Sequence, residues 1–309
     1  MSESVKVFSP ATVANVACGF DILGLSLQYP GDEIVVRKTD TPGIKIINST
    51  EYKEIPENPL KNTASVAMQA FLDHLGSEQG FEMEILKKIK PGSGIGSSAA
   101  SSAAGVFAAN HLLGSPLSRK ELVQFAMAGE AAACGSPHAD NVAPALLGGF
   151  ALIRSYNPLD VVTLPYPEDL YCTIIHPQIE VKTADARRIL RKEIALKDAV
   201  VQWGNIAGLV AGLFNSDYEL IGRSLEDVVI EPIRSILIPG YEDAKKAAIE
   251  AGALGCSISG SGPSMFSLSK SEEAAKATSD AIQAVFEKLD IETNNYISKI
   301  NPVGISIIS

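Results

Sequence analysis

The residues Pro91-Gly92-Ser93-Gly94-Ile95-Gly96-Ser97-Ser98-Ala99-Ala100 place three glycines and three serines in ten positions. Glycine admits positive φ and the close approach of another group. Ser97 or Ser98 can cap a helix. A glycine loop that opens a helix aims free N–H groups and the positive end of the helix dipole at one point, which is an anion site. A flexible turn before an alanine-rich helix would use the same glycines. The serine pair, able to offer hydroxyls to phosphate or to Mg²⁺, favours a phosphate cradle. It is neither a P-loop, since no Lys follows Gly96, nor a dinucleotide fingerprint, since Gly92, Gly94 and Gly96 alternate and no glycine follows up to Ala100.

Other chemistry-bearing groups are dispersed. Glu130 is the only charged residue between Ala126 and Pro137. A carboxylate among small apolar groups needs a partner or a cation, unless it sits at the edge of its helix stripe. His138, Asp140 and Asn141 form a polar cluster between apolar elements; His138 could be a base or a carboxylate ligand. Asn15 and Asp21 flank a small-residue turn, for which ordinary turn chemistry suffices. Arg187, Arg188 and Arg191 read as a solvated basic face, from which one arginine can still serve an anion. Gly252–Ser264 is a second small-residue stretch, either a tight turn or backbone approaching a ligand.

The elements that must position these groups follow from periodicity. Val5–Pro10 reads as a strand. Leu23–Tyr29 and Glu33–Lys38 read as a pair across Pro30-Gly31-Asp32, and Ile44–Ile47 and Phe81–Lys90 as further strands. Asn62–Leu75 is helical. The glycine loop leads into a helix ending near Leu113. Ser118–Cys134 begins with a capping box formed by Ser118 and Glu121. Three prolines in Asn157–Asp169 mark the expected linker, dividing the chain into 1–160 and 161–309. Beyond it come a strand at Leu170–Ile175, helices at Thr183–Arg191, Ala199–Phe214, Tyr241–Ala251 and Ser271–Lys288, and strands at Met265–Leu268 and Asn295–Ile308.

Composition restricts the class. A chain of 309 residues, 46% hydrophobic and 20% charged, is an ordinary globular protein with room for two domains. A net charge of −10 argues against nucleic acid or an anionic membrane surface as partner. No apolar run reaches the ~20 residues of a membrane span. Met1–Val7 lacks the pattern of a signal peptide. Four scattered cysteines suggest reduced thiols and a cytoplasmic location.

Three stretches in this order resemble the GHMP kinases, small-molecule kinases that use ATP and Mg²⁺. Gly94–Ala100 matches their second motif; Pro10–Leu25 is similar to the first and Gly255–Pro263 to the third. Within the family, the substrate-side stretches Ser9-Pro10-Ala11-Thr12 with Asn15 and Gly19-Phe20-Asp21, His138–Gly149, Thr183–Arg187, and Glu231-Pro232 with Arg234 are similar to those of members that phosphorylate L-homoserine. Lys90 stands at the motif's proline position, with Pro91 one place later. Cys18 replaces a usual proline, and Val13 and Val16 are further local variations.

The resemblance implies an α+β fold with two domains, the N-terminal one like ribosomal protein S5 domain 2 and the C-terminal one ferredoxin-like, the site between them, and a homodimer. It implies ATP contacts from Lys90 through Ala100, with Asn62 towards the base, and Mg²⁺ on Ser98 and Glu130. It places the homoserine ammonium on Asp21 with Asn15. The carboxylate falls to Arg187 and Arg234, helped by His138, with Thr183 and Gly260 also on the substrate side. Members acting on mevalonate carry a base Asp seven residues before a Gly-Gly pair. The same count back from Gly148 gives Asn141, which cannot be a carboxylate base. Catalysis would then rest on positioning by Asn141, Ser98 and Glu130, and Asp140→Asn would be mild.

Overall fold

The computed structural model describes residues 3–308; Met1, Ser2 and Ser309, the ends of the expected domains, lie outside them. The first half runs β1 (Ser4–Ala14), β2 (Leu23–Thr39), β3 (Ile44–Asn48), α1 (Thr63–Leu75), β4 (Gly80–Leu86), α2 (Ser97–Leu112), α3 (Arg119–Cys134), α4 (Val142–Leu147), β5 (Phe150–Tyr156) and β6 (Leu159–Leu164). The second runs β7 (Tyr171–Pro177), α5 (Thr183–Arg188), α6 (Leu196–Asn215), α7 (Tyr218–Ser224), α8 (Glu231–Arg234), α9 (Tyr241–Glu250), β8 (Gly255–Ile258), β9 (Met265–Ser269), α10 (Glu272–Glu287), β10 (Thr293–Lys299) and β11 (Ser306–Ile307).

Two sheets result. The first has the order β11-β1-β2-β4-β3, with β5 on β2 and β6 on β5. The second is antiparallel, β10-β7-β9-β8. Alternation along β4 buries Phe81, Met83 and Ile85 against Met68, Phe71 and the alanines of α2. Helix α2 is buried on nearly every side, and small residues let its neighbours close in: a Cβ on Gly105 would lie 2.3 Å from the Ala64 carbonyl oxygen, and one on Gly129 2.2 Å from Ser102 Oγ.

Several sequence expectations are corrected. Leu23–Lys38 is no hairpin. It is one 17-residue strand, and both of its ends pair with β1: Leu25 with Val13, and Ile34 with Val7. Between them the register shifts at Pro10/Thr12, with Gly31 opposite Pro10 and Ser26 opposite Thr12, so Pro30 lies in a bulge of residues 27–30 rather than in a reversal. The bulge brings Leu27 to Ile300 and Tyr29 N–H to Ser298 Oγ, linking the two sheets. The stretch expected to be a linker contains β6, paired with β5. A division at 160/161 therefore cuts a strand of the first sheet; the change of sheet falls between Leu164 and Tyr171. The chain also returns, since β11 pairs with β1. Helix α5 ends at Arg188 rather than Arg191.

Candidate active site

Strand β4 ends at Leu86 because Lys87 turns inward. Its ammonium, almost fully buried, is held by the Asp32 carboxylate, the Ser97 carbonyl and Ser101 Oγ. The other Asp32 oxygen accepts the N–H groups of Lys88 and Ile89, each at 2.8 Å. This buried, fully hydrogen-bonded pair fastens the chain entering the glycine loop to the first turn of α2. Removing one partner of such a pair costs about 3–5 kcal/mol.

Gly92, Gly94 and Gly96 all have positive φ, at 74°, 84° and 71°. A Cβ on Gly94 would lie 2.6 Å from the Gly262 carbonyl oxygen, and one on Gly96 2.0 Å from Thr12 Oγ1. The alternation of glycines thus answers both backbone conformation and close packing. Neither Ser97 nor Ser98 caps α2. Gly96 is the N-cap residue without a side-chain bond, and Ser97 Oγ donates to the Ile89 carbonyl at 3.1 Å. The first turn of a 16-residue helix therefore carries no side-chain cap, the arrangement that suits an anion.

The third motif closes on the other two. Ser259 Oγ donates to the Gly94 carbonyl at 2.8 Å, Gly260 N–H to the Ala14 carbonyl at 3.3 Å, and Asn15 Nδ2 to the Gly260 carbonyl at 2.9 Å. Its small residues thus serve close approach to other loops.

A cavity of about 340 Å³ lies where these loops meet. On one wall Glu130 is buried and bonded by Ser98, yet its Oε1 has no partner; burial pushes its pKa up to about 7. An orphaned carboxylate oxygen beside a hydroxyl is a donor set that fits a hard cation such as Mg²⁺.

In the turn that brings Asn15 and Asp21 to the cavity, Asn15, Val16 and Ala17 follow one another in the left-handed region, as does Asp21. For Val16 this is a strained conformation. It is held by Gly19 N–H to the Asn15 carbonyl, by Asp21 N–H to Asn15 Oδ1, and by Tyr156 Oη to the Asp21 carbonyl. Arg187 reaches Asp21 with both terminal nitrogens, and His138 Nδ1 lies 3.6 Å from the same carboxylate. Burial, then the two arginines, lower the His138 pKa more than Asp21 raises it, so the imidazole is neutral at pH 7. Arg234 is buried, donating to the carbonyls of Ala186 and Gly260. Both guanidinium groups lie over the Phe20 ring, at 5.6 Å for Arg187 and 5.1 Å for Arg234.

Of the expected site residues, the cavity gathers Pro91, Gly92, Gly94, Gly96, Ser97 and Ser98 from the loop. It also gathers Asn15, Asp21, His138, Asn141, Thr183, Arg187, Arg234 and Gly260 from the substrate side, together with Glu130. Thr183 Oγ1 lies 3.2 Å from Ser261 Oγ. Asn62 lines the cavity, but its side chain is spent as the N-cap of α1 and in a bond to the Pro56 carbonyl. Lys90 turns away to Gln178 Oε1 at 2.7 Å. Ser93, Ile95, Ala99 and Ala100 are buried and do not line the cavity.

Sequence reasoning missed Lys87 and Asp32, and it placed Thr12 and Phe20 in substrate-side stretches without giving either a role. Thr12 Oγ1 bonds Asn141 Oδ1 at 2.7 Å. A lone lysine ending a strand and an aspartate in a Pro-Gly-Asp run carry no local signal of a buried pair.

Two family models match, GHMP kinases N terminal domain over residues 62–149 and GHMP kinases C terminal over 209–288. A homoserine kinase from Chlorobium phaeobacteroides (strain BS1) is 49% identical over 99% of this chain and 100% of its own. The chain belongs to the homoserine kinases of the GHMP kinase family. Another, from Chloroherpeton thalassium, is 51% identical over the same shares of the two chains. The crystal structure of homoserine kinase from Cytophaga hutchinsonii is 56% identical, with a TM-score of 0.96, covering 100% of this chain and 98% of that one. The two-domain α+β fold of this family is the fold described above.

Proposed function

We propose that the protein is an ATP:L-homoserine O-phosphotransferase, forming O-phospho-L-homoserine for threonine biosynthesis. The observation that carries this reading is the single cavity wall on which Asp21, Arg187, Arg234 and His138 converge, opposite an uncapped glycine-loop helix. One wall suits a zwitterion and the other a polyphosphate. The ammonium goes to Asp21 with Asn15, and the carboxylate to Arg187 and Arg234 in charge-assisted contacts. The loop amides and Ser97 and Ser98 hold the phosphates.

Ser98 and Glu130 would hold Mg²⁺, which neutralises phosphate charge when bound. Thr12 fixes the amide of Asn141, leaving its NH₂ to orient the reacting groups; it cannot take a proton. Positioning and charge neutralisation supply most of what phosphoryl transfer requires.

A cytoplasmic location and a homodimer belong to the same proposal. Among the described residues no helix is long and apolar enough to cross a membrane. Helix α6 exposes Leu196, Val200, Trp203 and Phe214 at helical spacing, a surface suited to a second copy; light scattering of the wild type and of Trp203→Lys tests this.

A coupled ADP-release assay with ATP, Mg²⁺ and homoserine tests the activity. Turnover of mevalonate or another alcohol, with homoserine untouched, would refute it.

A further inference from the structure

Helix α6 carries an amide on its buried side. That side consists of Ala199, Gln202, Leu209, Gly212 and Leu213, and Gln202 is 7% exposed. For packing alone a leucine would serve. A buried amide is costly unless its N–H groups and its oxygen all find partners, and those of Gln202 do. Its Nε2 donates to the Cys18 carbonyl and to Asp227 Oδ1, each at 2.9 Å, and its Oε1 accepts the Val228 N–H at 3.1 Å.

The two sides of this bridge lead to two parts of the proposed homoserine site. Cys18 is the middle of the turn from Asn15 to Asp21, in which Asn15, Val16, Ala17 and Asp21 all have positive φ. Such a turn persists only where its surroundings hold it, and Gln202 is the side chain that takes its central carbonyl. On the other side Asp227 is also buried. Its Oδ1 accepts the N–H groups of Val229 and Ile230, each at 2.9 Å, and its Oδ2 that of Glu231 at 3.0 Å. These amides open α8, whose last residue is Arg234.

The turn and α8 also meet at the cavity. Asn15 Nδ2 and Arg234 both donate to the Gly260 carbonyl, each at 2.9 Å, and the Arg234 guanidinium lies over Phe20. In the proposed binding mode Asn15 and Arg234 are offered to the substrate. Gln202 does not line the cavity, so its bridge stays whole whether or not a ligand is bound.

Resting on the homoserine reading, we propose that Gln202 is a positioning residue for the substrate. It ties the turn that presents Asp21 to the helix that presents Arg234, and so sets the separation between the group for the ammonium and the group for the carboxylate. Its amide acts through these two elements and touches no substrate atom.

The test is calorimetric binding and steady-state kinetics of Gln202→Leu, read at a temperature where the variant is folded. The homoserine Kd and KM should rise by about tenfold, with the ATP Kd within about twofold of wild type. In an Arg234→Leu background the same substitution should change the homoserine Kd by less than about threefold, because one of the two groups it aligns is already gone. A homoserine Kd within about threefold of wild type for the single variant, an equal loss of ATP affinity, or additive effects in the double variant would each overturn the proposal. Those are the results of a side chain that supports only the fold. If Gln202→Leu does not fold, Gln202→Met, of similar length and without polar hydrogens, takes its place. Failure of both to fold overturns the proposal as well, since a positioning role leaves the fold standing. Wild-type protein that binds ATP but leaves homoserine unphosphorylated would sink the functional reading instead, so the two failures are distinguishable.

Discussion

Arg187 and Asp21 hold each other at the cavity lining, with the two terminal guanidinium nitrogens 3.4 and 2.5 Å from the carboxylate oxygens. In the proposed binding mode they are the groups offered to opposite ends of the substrate. The pair is partly solvated, its side chains 38% and 26% exposed, and such pairs contribute about 1 kcal/mol or less. A zwitterion can therefore exchange one ion pair for two. A ligand with only one charge leaves a partner of the pair unmatched, which is discrimination by penalty. Asp21→Asn removes that penalty. We expect the homoserine KM to rise by about 10²-fold while 4-hydroxybutanoate loses far less, narrowing the preference by at least about tenfold. Competitive inhibition constants for both ligands measure this.

Arg234 differs from Arg187 in being buried and tied to two main-chain carbonyls. Arg234→Leu should raise the homoserine KM by about 10²-fold or more and lower the melting temperature, because the Ala186 and Gly260 carbonyls lose a charged donor. ATP affinity should be nearly unchanged. An equal loss of both affinities would contradict the assignment.

Burial raises the Glu130 pKa from 4.5 to about 7. The unfolded chain releases this proton at the lower value and the folded one at the higher, so between them the folded state holds more protons. Its contribution therefore makes stability fall as pH rises from about 4.5 to about 7, by on the order of 3 kcal/mol. Glu130→Gln lacks this dependence. Its melting temperature should match that of the wild type near pH 4.5 and exceed it at pH 8. Added Mg·ATP at pH 8 should raise the wild-type value by more than that of the variant, which keeps the loop's phosphate contacts but loses a cation ligand.

Gly92 and Gly94 both have positive φ, yet only Gly94 is packed. A Cβ at 92 meets nothing within 4 Å, whereas at 94 it meets the carbonyl oxygens of Gly262 and Ser259 at 2.6 and 2.8 Å. Gly92→Ala should cost about 1 kcal/mol from conformation alone. Gly94→Ala should cost clearly more and should also weaken ATP binding, since it pushes the third motif off the loop. Thermal melts with and without nucleotide separate the two.

Local chemistry made much of this protein legible. The glycine loop, the Ser118–Glu121 box, the helices and the dispersed Asn15, Asp21, His138, Arg187 and Arg234 are written as residue types at fixed spacings, and the cavity gathers them. The sequence determines which groups exist and which backbone conformations they permit. Tertiary structure alone decides what they meet. Pro30-Gly31 reads as a turn until both ends of β2 pair with β1. Asn62 and Lys90 read as nucleotide contacts until a helix cap and Gln178 take their polar atoms. Lys87 with Asp32, and Gln202 with Cys18 and Asp227, depend on burial and long-range pairing. Burial sets the price of an unpaired charge, and no local pattern encodes it.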